Sequence, residues 1–267
     1  MVKPTQAMVK VYFIDGGTFT QDQSIATFAI GAGKPFTSQV SGVFVDHPEA
    51  KIIIETGMDP NIWPDSVKQI LIPQQTEEQR LDKALKRIGV RPEEIDVVIN
   101  THLHADHCSF NRIFKNATWI VQRKELMEAL VPEPFEVTYV RACFDAGLTT
   151  KLIEGDYNVV RGVEILDTHG HTVGHQSIAI ETEKSGVFLV TGDASMSKDN
   201  FPGESKISPS GWPCSPVLDA KAYMRSLEKL RKYVDSTKAK MHATCTLIYG
   251  HDYQEFQKLK QAPSYYQ

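Results

Sequence analysis

Short runs of apolar and β-branched residues, each bounded by Gly, Asp or Pro, recur along the first 55 residues. Such runs are typical of β-strands, in which alternate side chains point to opposite faces of a sheet. We predict strands at 9–14, 42–45 and 51–55. The beginning of the chain is therefore expected to form a sheet.

The pattern changes to helical spacing after Thr76. Four apolar residues then recur three or four positions apart along one stripe: Leu81, Ala84, Leu85 and Ile88. This spacing predicts an amphipathic helix. Thr76 and Gln79 fit a capping box at its start, and Gly89 fits its end. The apolar run at 95–99 comes next and predicts a buried strand.

The second half of the chain repeats this order of strands followed by a helix. We predict strands at 162–166, 177–180 and 187–190, and a helix over 219–233. Residues 195–216, before that helix, are rich in Gly, Pro and Ser, which favours a loop that covers a site. No linker divides the chain, so we expect residues 1–267 to form a single α/β domain.

The amino-acid composition argues against several functional classes. Hydrophobic residues make up 41% of the chain and charged residues 23%, which are ordinary values for a globular protein. The net charge of −4 comes with no dense basic tract, which argues against nucleic-acid binding. No apolar stretch approaches the roughly 18 residues of a membrane span. We expect neither nucleic acid nor membrane as a partner. The substrate is expected to be small and weakly charged.

The expected compartment follows from the chain's beginning and its cysteines. The first ten residues hold no apolar run of signal-peptide length. The 4 cysteines form no CxxC pair, which is typical of reduced thiols. Both observations predict a cytoplasmic protein. Cys108 directly follows a histidine cluster, so a thiolate ligand to a soft metal is an alternative there.

The strongest chemical signal lies just past the strand predicted at 95–99. Six positions hold three imidazoles and one carboxylate: His102, His104, Asp106 and His107. On an extended segment, residues two apart share a side, so the first two histidines can bind one metal ion. A turn at Ala105 would let the other two residues face a second ion. A packed core histidine would account for one of these imidazoles, not three.

Further donors follow in the second half of the chain. Each stands directly after a glycine at a predicted strand end: His171, Asp193 and His251. A lone histidine after glycine is more often a capping or packing residue, but three such positions in chain order favour metal ligands. Imidazole and carboxylate donors suit two divalent ions, for which we expect zinc, with cobalt, manganese and iron as alternatives.

The motif His102-x-His104-x-Asp106-His107, with the three later donors, resembles the metallo-β-lactamase superfamily over nearly the whole chain. The resemblance implies an αββα sandwich, in which two mixed β-sheets are flanked by helices and both halves share a dinuclear site. It also implies the ligand sets. His102, His104 and His171 hold the first ion, Asp106, His107 and His251 hold the second, and Asp193 bridges both.

Within the superfamily, the flanks resemble the N-acyl homoserine lactonases. The matching segments lie near both ends and beside the ligands: 11–17, 55–60, 171–177, 249–252, 257–260 and 263–266. The resemblance implies a quorum-quenching lactonase that opens the ring of a small lactone with water activated by two ions. Asp106 would be catalytic and would carry a proton from the water to the departing alkoxide.

Several positions depart from the lactonase pattern. Met196, three residues after Asp193, stands where those lactonases carry a tyrosine, so a phenol donor is missing; Tyr223 is one candidate replacement. Glu55 replaces an aspartate, and we expect it to support a ligand histidine through a hydrogen bond. His175 is expected in a similar supporting or packing role. His169 does not match the ligand spacing and is not expected to bind metal.

An acyl chain on the substrate would need apolar contacts. Met196, Phe110 and Trp212 are the candidates, with Phe201 as a fourth. The same ligands would also serve another lactone, a thioester or a β-lactam, because the fold does not fix the leaving group. The lost tyrosine makes a non-catalytic metal-binding member a further alternative. The resemblance also implies a homodimer, formed through residues 2–20 and the loop near Trp212.

Overall fold

Two mixed β-sheets pack face to face in the computed structural model, and helices cover the outer face of each sheet. The structure describes residues 8–215, 217–241 and 243–267. The four layers confirm the predicted αββα sandwich. Within these ranges no helix is both long and apolar enough to cross a membrane.

The first sheet contains seven strands, in the spatial order β4-β1-β2-β3-β5-β6-β7. Their bounds are β1 Lys10–Asp22, β2 Pro35–Asp46, β3 Lys51–Ile54, β4 Ile72–Gln74, β5 Val97–Ile99, β6 Thr118–Gln122 and β7 Thr149–Ile153. Strands β1 to β4 pair antiparallel, whereas β3, β5, β6 and β7 pair in parallel. The parallel strands therefore end at one common edge.

The second sheet contains five strands, in the order β12-β11-β10-β9-β8. Their bounds are β8 Tyr157–Val160, β9 Val163–Asp167, β10 Gln176–Thr182, β11 Gly186–Gly192 and β12 Cys245–Tyr249. Only β11 and β12 are parallel neighbours here, so these two strands end side by side. The other pairs are antiparallel.

The outer layers are built from helices that join the strands. The α-helices are α1 Gln23–Ala26, α2 Asp65–Ile70, α3 Leu81–Arg87, α4 Ala105–Cys108, α5 Arg123–Leu130, α6 Arg141–Phe144, α7 Ala220–Met241 and α8 Tyr253–Phe256. Short 3-10 turns lie at Pro60–Ile62, Glu77–Gln79, Pro92–Glu94, Asn111–Ile113, Asp193–Ser195 and Lys198–Asn200. Helices α2 to α6 cover the first sheet, and α7 covers the second.

The core between the sheets follows from the two-residue period of the strands. Val43 and Val45 of β2 point inward, whereas Phe44 points toward the helices. Across the interface, the rings of Phe13 and Phe188 meet edge to face at 5.2 Å between centroids. Residues from both halves of the chain thus share one buried layer.

Helix α7 covers the second sheet with an apolar stripe. Its buried positions Tyr223, Leu227, Leu230 and Val234 recur every three or four residues, as expected for an amphipathic helix. The sequence predicted this helix over 219–233, and the structure extends it to Met241.

The predicted helix after Thr76 is interrupted. A 3-10 turn occupies Glu77–Gln79, and the α-helix begins at Leu81 after an extended Arg80. Gln79 Oε1 accepts from the Thr76 backbone N–H at 2.9 Å, which is one half of the predicted capping box. Gln79 also donates to Asp15 on β1, so tertiary contact shapes this turn.

Hydrogen bonds tie the two sheets together where the histidine segment begins. The Gln176 backbone N–H, at the start of β10, donates to the Thr101 carbonyl at 2.8 Å. Its side-chain amide donates to the Asn100 carbonyl, also at 2.8 Å. The end of β5 in one sheet is therefore fixed to the beginning of β10 in the other.

Candidate metal centre

The seven predicted ligands lie together at the ends of four strands. Four of them follow β5, partly on the short helix α4, and the others follow β9, β11 and β12: His102, His104, Asp106, His107, His171, Asp193 and His251. All seven side chains are buried. The strand ends converge here because both sheets present the carboxyl ends of neighbouring strands to the same edge.

The first cluster consists of three imidazoles and one carboxylate. His104 Nδ1 lies 2.9 Å from His102 Nε2 and 3.3 Å from His171 Nε2. The latter nitrogen is 3.4 Å from Asp193 Oδ2. All four ligand atoms lie within 4.8 Å of one another, so they surround a space of the size of one ion.

The second cluster lies beside the first. Asp106 Oδ2 is 3.3 Å from His107 Nε2 and 3.4 Å from His251 Nε2. Asp193 Oδ1 approaches the same two nitrogens, at 3.6 and 3.1 Å. Because its other oxygen faces the first cluster, Asp193 is placed between the two groups of donors.

The chemistry of the donor atoms fits a pair of divalent metal ions. His107 Nε2 and Asp193 Oδ1 are buried without a hydrogen-bond partner, an arrangement that costs free energy unless a ligand completes it. Burial, reinforced by neighbouring imidazoles, lowers the pKa of His102, and burial lowers that of His104 to about 3. A neutral imidazole nitrogen offers the lone pair that a metal ion needs.

A glycine stands directly before each ligand of the second half, and its missing side chain makes room for the site. A Cβ atom at Gly170 would lie 2.3 Å from the Tyr223 backbone nitrogen, and one at Gly250 would lie 2.5 Å from Asp193 Oδ1. At Gly192 it would lie 2.6 Å from Thr101 Oγ1. The Gly-ligand pairs in the sequence therefore have a steric cause.

Glu55 supports the second cluster from the end of β3. One of its carboxylate oxygens pairs with His107 Nδ1, and the other accepts from the Thr101 backbone N–H at 2.6 Å. Glu55 thus fixes both the orientation of the His107 ring and the start of the segment that carries the first four candidate donors.

His175 belongs to neither cluster and contacts the backbone of Asp193. Its Nε2 accepts from the backbone N–H groups of Asp193 and Ala194, at 3.0 and 3.2 Å. Burial lowers the pKa of His175, so the ring is neutral and Nδ1 carries its proton. That nitrogen lies 2.9 Å from Thr168 Oγ1, to which it donates.

Two supporting contacts were not anticipated from the sequence. The Gln39 carbonyl on β2 lies 2.8 Å from His251 Nδ1, and Cys214 Sγ lies 3.6 Å from His171 Nδ1. A backbone carbonyl carries no signature in the residue type, so the first of these could not be found by pattern. The thiol was visible only as one of four scattered cysteines.

His169, which was not expected to bind metal, and Cys108, which was an alternative ligand, lie outside both clusters. His169 pairs instead with Asp167, at 2.7 Å between Nδ1 and Oδ1. Cys108 Sγ donates to the carbonyls of Leu103 and His104, at 3.4 and 3.3 Å. The thiol therefore stabilises the ligand segment through its backbone.

A cavity of about 140 Å³ opens beside the clusters and is lined by His104, Asp106, His171, Asp193 and His251. The remaining wall is mainly apolar: Phe19, Ile25, Ile70, Leu71, Phe135, Val137, Met196 and Leu218. Four polar side chains interrupt it: Gln21, Glu136, Thr138 and Ser215. An apolar pocket with a few polar groups beside reactive residues is the usual form of a small-molecule site.

Met196 lines this cavity, but Phe110, Trp212 and Phe201 do not, which corrects the expectation for those three residues. Phe110 lies in the outer core, where its ring packs between the guanidinium groups of Arg80 and Arg112. The indole of Trp212 turns away and donates to the Phe28 carbonyl. Phe201 is fully buried beneath α7.

Tyr223 cannot supply the missing phenol at the cavity. It is fully buried in the layer between α7 and the second sheet, behind Gly170. Among the described residues, no tyrosine lines the cavity wall. No other described residue of that wall therefore supplies the phenol that is missing at Met196.

The fold, the two clusters and their order along the chain define a known class of protein. The chain belongs to the metallo-beta-lactamase superfamily, because the sequence profile of that superfamily matches residues 36–251.

Within that class the chain is similar to N-acyl homoserine lactonases, as the flanks predicted. It is 34% identical to the lactonase of Bacillus cereus and 35% identical to lactonase AiiA of Bacillus thuringiensis subsp. kurstaki. Both alignments cover 96% of this chain and 98% of the relative. The chain is therefore similar to hydrolases of lactone ester bonds over almost its full length.

Solved structures give the same result. An N-acyl homoserine lactone hydrolase with N-hexanoyl-L-homoserine bound at its catalytic metal centre superposes with a TM-score of 0.83. That comparison has 34% identity and covers 97% of this chain and all of the other. A B. thuringiensis AiiA mutant with bound N-decanoyl-L-homoserine superposes with a TM-score of 0.84.

Proposed function

We propose that this protein hydrolyses the ester bond of N-acyl homoserine lactones. The observation that carries the proposal is the convergence of seven buried nitrogen and oxygen donors in two adjoining clusters at the floor of an apolar cavity. The relatives that share 34 to 35% of their residues with this chain are lactonases of that kind. This similarity is the reason for proposing homoserine lactones as the substrate class, because the fold alone does not determine the substrate.

Two divalent ions would be held by these donors. We assign His102, His104 and His171 to the first ion, Asp106, His107 and His251 to the second, and Asp193 to both. When bound, the ions supply a Lewis acid for the carbonyl and a lowered pKa for water. We propose zinc, because imidazole and carboxylate suit it, and elemental analysis of the purified protein separates it from cobalt, manganese and iron.

Asp106 is the residue proposed to move the proton. Its carboxylate belongs to the second cluster and also lines the cavity, so it faces both the donors and the space for substrate. Neighbouring His107 and His251 outweigh burial and lower the pKa of Asp106, so the carboxylate is ionised. We propose that it accepts the proton of the attacking water. After ring opening it can return that proton to the departing alkoxide.

The cavity wall suits a substrate with a polar head and an apolar tail. The lactone ring would face the ligand side chains, and the acyl chain would lie along Phe19, Ile25 and Met196 toward the mouth. Thr138 and Ser215 offer hydroxyl groups for the polar part. Burial of methylene groups against this wall contributes roughly 0.8 kcal/mol for each group.

Proton release in a pH-stat tests the proposal directly. Protein of known metal content is supplied with short and long N-acyl homoserine lactones, simple γ- and δ-lactones, a thioester and a β-lactam, and a chelator-treated sample is the control. We expect chelator-sensitive acid release with the homoserine lactones. Acid release with the other esters alone would mean that the substrate is not a homoserine lactone. Two bound ions with no acid release would support a non-catalytic metal-binding protein.

We further propose that the protein works in the cytoplasm as a homodimer. All four cysteines are free thiols, as expected in a reducing compartment. Residues 2–7 of the proposed contact lie outside the described residues. In its second part, the Trp212 indole donates to the Phe28 carbonyl, and the exposed Phe28 side chain is available to a partner. Cell fractionation and light scattering of the purified protein test the two statements.

A further inference from the structure

Glu125 on helix α5 is a buried acidic side chain that belongs to neither metal cluster. Only 1% of its surface is exposed, and with Ala129 it forms the buried face of the helix. A carboxylate on such a face is costly unless each of its oxygens is hydrogen-bonded.

Four donors surround the Glu125 carboxylate. Oε1 accepts from the Leu103 backbone N–H at 2.9 Å and from the Tyr139 hydroxyl at 3.1 Å. Oε2 accepts from the Thr172 hydroxyl at 2.6 Å and from the Gly174 backbone N–H at 3.1 Å. Both oxygens act purely as acceptors, which is the role of an ionised carboxylate.

Three of the four donors belong to the two segments that carry the first cluster, and the fourth, Tyr139, lies outside both. Leu103 stands between His102 and His104, and Thr172 directly follows His171. The two segments come from different sheets, since one follows β5 and the other joins β9 to β10. One carboxylate therefore connects all three histidines of the first cluster through their neighbouring residues.

Helix α5 also touches the second segment directly. A Cβ atom at Gly174 would lie 2.4 Å from the Glu125 nitrogen and 2.8 Å from its Cα. Gly174 thus lets the His171 segment approach close enough for both of its donors to reach Oε2. The approach and the hydrogen bonds are separate observations, and both place this segment against the same residue.

We propose that Glu125 is the positioning residue of the first metal cluster. It holds the His102–His104 segment and the His171 segment at the separation that one ion requires. This inference rests on the two-ion centre proposed above, and it concerns the first cluster only, because the donors that Glu125 accepts from do not adjoin Asp106, His107 or His251.

Replacement by glutamine separates hydrogen bonding from size. The amide of Glu125→Gln has one acceptor oxygen and one donor nitrogen in nearly the same volume. In either orientation, the amide nitrogen faces a backbone N–H, that of Leu103 or that of Gly174. One ligand segment therefore loses its support whichever way the amide turns.

The test is a cobalt titration of metal-free protein followed by visible absorption. A His171→Ala protein, which lacks one first-cluster ligand, identifies the absorption bands of that cluster. For Glu125→Gln we expect the first-cluster affinity to fall about 10- to 100-fold, as is typical when a group that orients a ligand is removed. The second-cluster affinity should change less than about threefold.

Glu128→Gln is the matched control, because it makes the same substitution on the same helix without a contact to either ligand segment. It should leave both affinities unchanged. Equal first-cluster affinities for Glu125→Gln and the wild type would overturn the inference. Failure of the wild type to bind cobalt would instead overturn the two-ion centre, so the two failures are distinguishable.

Gly174→Ala provides a second variant if Glu125→Gln does not fold. It leaves the carboxylate in place and pushes the His171 segment away from α5. A selective loss of first-cluster affinity is expected again, and an unchanged affinity in protein with a native near-UV circular dichroism spectrum would contradict the inference.

Discussion

Met196 lies in the cavity wall, three residues after Asp193, at the position where the resemblance to the lactonases implied a tyrosine. Its side chain is buried and lines the cavity, whereas Tyr139, whose ring lies 4.9 Å from that of His104, donates its hydroxyl to Glu125. A substrate carbonyl at this wall therefore meets a thioether instead of a phenol. The residue offers apolar contact and no donor.

Met196→Tyr should raise kcat toward homoserine lactones by about 3- to 10-fold, because one hydrogen bond contributes roughly 0.5–1.5 kcal/mol. Steady-state kinetics measure the effect. Met196→Phe is the matched control, since it adds the ring without the hydroxyl. An equal gain in both variants would mean that ring packing, not a donor, is responsible.

The types of the ligand residues were predictable because the chemistry requires them. Imidazoles and carboxylates crowded into a few positions after a strand, as at His102 and Asp106, favour a metal site over a packing role. The direction of neighbouring side chains was not predictable. Phe110 is close to the motif in sequence, yet α4 and the turn after it carry its ring to the opposite side of the first sheet.

At the scale of elements, the segment after α5 forms part of the cavity mouth. Phe135 is 67% exposed and lines the cavity, together with the partly exposed Ile70 and Leu218 from two other segments. An exposed aromatic ring at a pocket mouth is available to cover a long acyl chain. We therefore expect this segment to determine which acyl-chain lengths the protein prefers.

Phe135→Ala should raise KM for a decanoyl substrate about 5-fold and leave KM for a butanoyl substrate nearly unchanged, because only the longer chain reaches the ring. Val131→Ala is the control, since Val131 lies on the same segment, is exposed and does not line the cavity. Equal effects on both chain lengths would place the acyl chain elsewhere.

The turn between β11 and Asp193 depends on Gly192. Its φ of +53° is combined with a ψ of −146°, a conformation that is essentially restricted to glycine. Gly192→Ala adds a collision with Thr101, so we expect a loss of unfolding free energy of more than about 3 kcal/mol. Urea unfolding measures the change.

Gly147→Ala is the comparison for that variant. Gly147 has a φ of +67° but open space around its Cβ position, so it should cost only about 1–2 kcal/mol. Similar losses for the two variants would show that backbone conformation alone, not the contact with Thr101, makes Gly192 necessary.

Strands and helices were predictable where one face is buried, but their lengths were not. Strand β1 runs to Asp22 because Thr18, Phe19 and Thr20 pair with β2 and β4, and those partners are remote in sequence. The strands β4, β6, β7 and β8 were not identified, and β12 was expected only as a strand end before His251, without bounds. For β7 the reason is visible, because four of its five residues are exposed and show no alternation.

At the scale of the whole molecule, the metal donors connect the two sheets. The first sheet contributes the residues after β5, and the second contributes those after β9, β11 and β12. Bound ions would therefore stabilise the packing of one sheet against the other, in addition to any role in catalysis.

Chelation should lower the midpoint of thermal unfolding by about 10 °C, since a ligand at a thousand times its Kd stabilises by about 4 kcal/mol. Differential scanning calorimetry with and without chelator measures the shift, and added zinc or cobalt should restore it. An unchanged midpoint after verified metal removal would contradict a role of the ions in joining the sheets.

The order of the donors along the chain has a consequence for biosynthesis. His102, His104, His171 and Asp193 all precede residue 200, whereas His251 follows the long helix α7 and the parallel strand β12. A growing polypeptide thus contains every donor of the first cluster well before the second can be completed. Metal loading during synthesis would begin at the first cluster and finish only when β12 has joined β11.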